Sequence, residues 1–170
     1  MVPDYLRPAK RAFALDYDPL MPAMLQMIVV GTDNSGRAQT AVEYAADLAE
    51  AVGAALRIVT VHRVLPAGYS FTPYTMFPIP SQRDEADALE AHLSYLKPVA
   101  QRLHGRGLDV QVRVVTGDPA TVVVNSAVEA GADLVVVGDR GLRGLRGFFG
   151  SVAKAVIRDS KVPVLVVRTG

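Results

Sequence analysis

Apolar runs of strand length alternate with helix-patterned segments along most of the chain. This alternation limits the possible folds more than any other feature. The runs are Leu25–Val30, Leu56–Val61, Val110–Val115, Leu134–Val137 and Val162–Val167. In Met27-Ile28-Val29-Val30 the apolar residues are consecutive, the pattern of a strand covered on both faces, as in a parallel sheet. Strand, helix and strand in turn imply an α/β fold: an open five-stranded parallel sheet with right-handed crossovers and helices on both faces. Such sheets bind ligands at the carboxyl ends of the strands, where the strand order reverses. If the first and fourth strands are neighbours, the Gly31–Asp33 turn faces the loop that begins at Gly138.

The helices carry their own punctuation. From about Arg37 to Val52, residues Ala41, Val42, Ala45, Leu48, Ala49 and Val52 recur at three and four, and Gly53 stops the pattern. Ser81 is placed to cap a second helix, with Asp84 and Glu85 in its first turn. That helix reaches about Leu103, and Pro98 should kink or interrupt it. Asp118-Pro119 starts a third helix, closed by Gly131 after Ala130. A fourth spans roughly Val152 to Asp159, and Pro163 puts the last strand at an edge or marks its start.

The fourth strand runs into glycines at 138, 141, 144, 147 and 150, with arginines at 140, 143 and 146, and ends at Ser151 in the place of a helix N-cap. Glycine lets a ligand approach the main chain, and a helix start supplies N–H donors and a positive dipole end. Together they describe an anion cradle, suited to phosphate. Lys154, read as the third helical residue, opposes that dipole, a cost that a bound polyanion would relieve. No Gly-Lys-Ser/Thr follows, so this is not a Walker A loop, and it is not a Gly-x-Gly-x-x-Gly fingerprint. A plain surface connection is the competing reading.

Eighteen basic against 17 acidic residues give no overall pull towards nucleic acid or an anionic membrane, and the chain has no cysteine for disulfides or thiolate metal sites. A cytoplasmic location is expected. His62, His92 and His104 are scattered without a carboxylate pattern, so no metal site is expected: His62 reads as structural, and His92 and His104 as residues of a surface helix. Residues 1–26, with prolines 3, 8, 19 and 22, read as an N-terminal extension, disordered or lying on the surface, with Met21, Met24 and Met27 as alternative starts. Residues 27–170 form one domain, interrupted at 64–80 by a mobile insert containing Pro66, Pro73, Pro78 and Pro80.

Four pieces of the chain resemble the universal stress protein family: Ile28-Val29-Val30-Gly31-Thr32-Asp33-Asn34-Ser35, Val115-Thr116-Gly117-Asp118-Pro119-Ala120, Val136 to Gly141 with Gly150-Ser151-Val152, and Val162 to Arg168. The resemblance is to the ATP-binding type, with eight residues, Leu142 to Phe149, where that type carries nine. It implies a Rossmann-like sheet of the adenine-nucleotide alpha-hydrolase type, in the order 3-2-1-4-5, and homodimers paired through the last strand, Val162–Val167. It also implies a nucleotide site. Gly138, Gly141, Gly150 and Ser151 would hold the phosphates, with Val152 beside them and Arg140 offsetting the charge of Asp139. Asp33, next to Thr32, would take the ribose hydroxyls. Gly31, Val61 and Val137 would line the adenine slot. Mg²⁺ could ride on the ATP phosphates.

No general base stands beside a nucleophile and no acid is placed for Mg²⁺, so no catalytic residue is assigned, and binding without efficient turnover is the economical reading. Asp33 and Asp118 each have a capping role available. The expected protein is therefore an ATP-binding, nucleotide-responsive homodimeric stress module acting on an unknown protein partner. The alternatives are a nucleotide-free module working through protein contacts, a slow ATPase, and a cyclic AMP binder.

Overall fold

A computed structural model of the chain describes residues 25–62, 82–139 and 150–169, the side chains of 82–86 and 88 excepted. Residues 1–24 of the expected 1–26 extension, the 64–80 insert, the Ser81 cap and the glycine-arginine loop over 140–149 lie outside these residues.

Five strands alternate with four helices: β1 (Met27–Thr32), α1 (Gly36–Val52), β2 (Ala55–His62), α2 (Gln82–Gly105), β3 (Val110–Thr116), α3 (Pro119–Ala130), β4 (Leu134–Gly138), α4 (Ser151–Asp159) and β5 (Val164–Val167). All pairings are parallel and the sheet order is β3-β2-β1-β4-β5, the order that the resemblance implied. β1 is central, pairing Val30 with Ile58 on one side and with Val136 on the other. Both of its faces are covered, and its side chains from Met27 to Val30 are at most 5% exposed. That coverage is the physical reason for its unbroken apolar run.

The pleat sends alternate residues to two cores. Ile28, Val30, Leu56, Ile58, Val110 and Val136 meet Ala41, Ala45 and Ala49 of α1 and Leu96, Ala100 and Leu103 of α2. Met27, Val29, Val59, Val135 and Val137 meet Ala120, Val123 and Ala127 of α3 and Ala153 and Val156 of α4. The alanine face of α1 lets that helix sit close over the centre of the sheet. Outside, α1 and α2 are tied by charge: Arg102 bonds Glu43, and Arg106 bonds Asp47 and Glu50.

Several boundaries agree with their sequence signals. Gly53 and Gly131 close α1 and α3 in the left-handed conformation, at φ 70° and 55°. Asp118 caps α3, accepting from Thr121 N at 3.0 Å, with Pro119 in the first turn. Three expectations need correction. Pro98 does not interrupt α2, which continues to Gly105; Pro98 is exposed, where its ring is accommodated on the solvent side. Ser151 is the first residue of α4 rather than its cap, and Gly150 takes the cap position. Lys154 is therefore the fourth helical residue, and its N–H makes the first intrahelical bond, to Gly150 O at 3.1 Å. Finally, β5 begins at Val164, because Pro163 has no N–H for the ladder; its carbonyl instead accepts from Val135 N at 3.0 Å.

Candidate functional site

β1 and β4 are neighbours at the centre of the sheet, and the chain leaves them in opposite directions, towards β2 and β5. Their carboxyl ends therefore border a crevice at the point where strand order reverses. The Gly31–Asp33 turn stands on one side, and Gly138 with the start of α4 on the other.

The first side is built by short-range bonds. Thr32 Oγ1 accepts from Asn34 N at 3.1 Å, Asp33 Oδ1 accepts from Ser35 N at 3.0 Å, and Ser35 Oγ caps α1 by accepting from Ala38 N at 3.1 Å. Ser35, not Asp33, is thus the cap of α1. Asn34 takes a left-handed conformation, φ 60°, which its short polar side chain tolerates better than most. The result is an exposed Asp33 carboxylate on a backbone fixed before any ligand arrives.

Behind the turn the packing is close. A Cβ on Gly31 would stand 2.9 Å from Val123 Cγ2 and 3.8 Å from Val137 Cγ1, so any larger residue would force Val123 on α3 to shift. Gly31 and Val137 are therefore brought together. Val61, half-buried, packs with the same core, two residues beyond Val59, the partner of Gly31 in β2. Thr32 is half-buried within the turn.

The second side is held by Asp139. Its backbone accepts from Gly150 N at 2.7 Å, which ties the end of β4 to the start of α4. The Gly150 N–H expected to meet phosphate is thus used within the fold. The Asp139 side chain, 7% exposed, accepts on Oδ1 from Thr169 N at 3.0 Å and Thr169 Oγ1 at 2.8 Å. These bonds anchor the segment just past β5. Among the described residues no side chain caps α4, whose cap position is Gly150. By the rule for helix ends, the N–H groups of Ser151, Val152 and Ala153 have no partner within the helix. Ser151 is exposed and Val152 half-buried.

Sequence reasoning missed a third group. His92, assigned to a surface helix, is half-buried, with Nδ1 2.8 Å from Asn34 Nδ2 and its ring 5.7 Å from that of His62. Burial pushes the His92 pKa below the usual imidazole value, and the His62 charge adds to this. The partners lie 58 residues apart in sequence, and no local pattern announces such a pair. His104 is exposed, with Nδ1 3.1 Å from Leu108 O. Among the described residues no three His, Asp or Glu side chains gather as a metal site, and no helix is long and apolar enough to cross a membrane.

A doubly wound parallel sheet with a polar turn after β1 and a helix start after β4, the two strands adjacent at its switch point, defines the class. Comparison with known proteins defines the family. The model of the Universal stress protein family matches residues 24–168, and the chain belongs to that family. It is 34% identical over 144 residues to the universal stress protein Rv1636 of Mycobacterium tuberculosis, covering 84% of this chain and 95% of that one. It is 31% identical to the universal stress protein YxiE of Bacillus subtilis over 150 residues, covering 85% and 100%. Among solved structures, a universal stress protein in complex with cAMP is similar with a TM-score of 0.65 at 31% identity, covering 87% of this chain and all of that one. The universal stress protein UspA from Lactobacillus plantarum shares the fold, with a TM-score of 0.71 at 22% identity.

Proposed function

We propose that the crevice between β1 and β4 binds an adenine nucleotide and that the protein is a nucleotide-responsive homodimeric regulatory module. The observation that carries this reading is the pairing of an exposed, pre-positioned Asp33 with the uncapped start of α4 across one switch point. A carboxylate held by its own turn suits the paired hydroxyls of a ribose, which donate two hydrogen bonds. The first-turn N–H groups of Ser151 and Val152, with the strand end at Gly138, suit phosphate oxygens. Gly31, Val61 and Val137 supply an apolar wall for the base. Arg140 and Gly141 complete the phosphate side in this reading, and Gly150 contributes through the turn it makes rather than through its engaged N–H.

The ligand of this reading is ATP, with Mg²⁺ on its phosphates. Cyclic AMP is a second reading with its own support: a structural relative at 31% identity holds it, and a single phosphate asks less of a shortened loop. The dimer forms through β5, whose Val164, Leu165 and Val166 are only half-buried on an edge strand. Slow turnover of ATP needs no more than this positioning and stays secondary to binding. An unidentified protein partner would read the nucleotide state, and a cytoplasmic setting supplies both ligands.

The test is to denature freshly purified protein, identify any released nucleotide by mass spectrometry, and follow thermal unfolding with added ATP or cyclic AMP. Released nucleotide, or a stabilising shift that grows with concentration, is expected. No nucleotide and no shift with either compound would leave a nucleotide-free module acting through protein contacts.

A further inference from the structure

The α3 face of β2 carries an arginine. Arg57 shares that face with Val59, and only 7% of it is exposed. Its Nε and Nη2 both donate to Gln111 Oε1, at 3.0 and 2.7 Å, and its Nη1 donates to Ser126 O at 3.4 Å. Gln111 lies opposite on the edge strand β3, and Ser126 on α3. Three of the five guanidinium N–H groups are thereby used, and one is left on each terminal nitrogen. Gln111 gives its carbonyl oxygen to Arg57, and its buried Nε2 has no partner among the described residues. The cluster is rich in donors and short of acceptors.

It is short of negative charge as well. Arginine keeps its proton in a folded protein, so Arg57 is a buried cation held by neutral oxygens alone. Arg113 stands two residues beyond Gln111 on β3, the diagonal neighbour of Arg57 on the same face, and is exposed. Burial lowers the Arg57 pKa, the Arg113 charge adds to this, and the charge of Glu129, exposed on α3, opposes it. Among the described residues no carboxylate forms an ion pair with Arg57 or Arg113, whereas Arg102, Arg106 and Arg158 each meet one.

We infer that Arg57 and Arg113 form a binding site for a small oxyanion, a carboxylate or a phosphate, on the β3 side of α3. Arg113 meets the anion at the surface. The oxygens of the anion accept the two N–H groups left on Arg57, the paired arrangement that a guanidinium offers to either group. The 3.4 Å contact with Ser126 O is the longest of the three and the first to yield. The site is separate from the nucleotide crevice: Arg57 comes four residues before Val61, about 13 Å back along β2 from its carboxyl end.

The experiment follows the arginine side-chain N–H signals of the full chain by NMR at neutral pH. Sodium phosphate and sodium acetate are titrated separately, with sodium chloride at matched ionic strength as the control. The Arg57 Nε–H, buried and bonded to Gln111, reports on the site. A saturable shift of that signal is expected with at least one of the two oxyanions and not with chloride. A response to phosphate alone assigns the site to phosphate groups, and a response to acetate assigns it to carboxylates. Arg113→Ala, at an exposed position that the fold does not use, should weaken the response about tenfold, the worth of one charge-assisted bond. Phosphate that enters the crevice instead would move the backbone N–H signals of Ser151 and Val152, and these should respond equally in wild type and Arg113→Ala. No saturable shift at Arg57 with either oxyanion, a shift that chloride reproduces, or equal affinity in wild type and Arg113→Ala overturns the inference.

Discussion

Helices α1 and α3 begin with a side chain folded back onto their first turn; helix α4 does not. Ser35 accepts from Ala38 N, and Asp118 accepts from both Thr121 N and Thr121 Oγ1, at 3.0 and 2.9 Å. Gly150 has no side chain to offer, and Ser151 falls one residue too late. Of the two helices that start beside the crevice between β1 and β4, α1 is capped by Ser35 and α4 has only Gly150 at its cap position. The difference separates two uses of a helix end. In α1 and α3 the dipole and donors are satisfied locally, which fixes where the helix starts. In α4 the start is fixed from outside, by the 2.7 Å bond from Gly150 N to Asp139 O.

The contrast fails first if Asp139 is not an anchor. Asp139→Ala removes the acceptor for Thr169 N and Thr169 Oγ1, both in buried surroundings. It should cost about 2–3 kcal/mol of stability in urea unfolding, since buried donors are left unpaired. A loss below about 0.5 kcal/mol would mean that the C-terminal segment is held by other contacts.

Giving α4 the cap it lacks sharpens the contrast. Gly150 has φ −57° and ψ 153°, open to any residue, so Gly150→Asp is sterically allowed by its backbone. A capping carboxylate should stabilise the fold by about 0.5–1 kcal/mol and at the same time weaken nucleotide binding, because it takes the same donors and adds like charge. Tighter binding in this variant would break the proposed phosphate role. The matched change in a satisfied helix, Asp118→Ala, should cost about 1 kcal/mol in the same unfolding assay and leave nucleotide affinity unaltered.

The smallest effect belongs to the far side of α1. The Arg102 hydrogen bond holds the Glu43 carboxyl below its usual pKa despite some burial. The lowered folded value means that this contribution is present above the ordinary carboxylate range and is lost as pH falls through it. Glu43→Gln should therefore cost only a few tenths of a kcal/mol at neutral pH, about the worth of a surface pair, and should make acid unfolding slightly less steep.

The sheet was legible because its strands are buried on both faces: Met27 to Val30 and Leu134 to Val137 stand out as unbroken apolar runs. Asp118-Pro119 and Gly131 marked α3 because capping is local and acts within four residues. Pro98 misled because an exposed proline can sit in a long helix that packing holds from the other side. Within the crevice, the Asp33 turn and Gly138 could be placed from sequence, since the topology brings strand ends together whatever their side chains. The roles of Asp139 and His92 could not. Their partners, Thr169 and Asn34, lie 30 and 58 residues away, and only the folded sheet brings them into contact. Gly150 rather than Ser151 became the cap because Asp139 fixes the backbone at that point.

The central claim is that Asp33 and the start of α4 together hold a nucleotide. It is tested most directly by calorimetric titration of ATP and of cyclic AMP into wild type, Asp33→Ala and Asp118→Ala at about pH 8. The account predicts saturable binding of at least one nucleotide by wild type, weakened about tenfold or more in Asp33→Ala by the loss of charge-assisted bonds, and preserved in Asp118→Ala despite its lower stability. Absence of binding heat with both nucleotides in wild type, or equal affinity in Asp33→Ala, would contradict it.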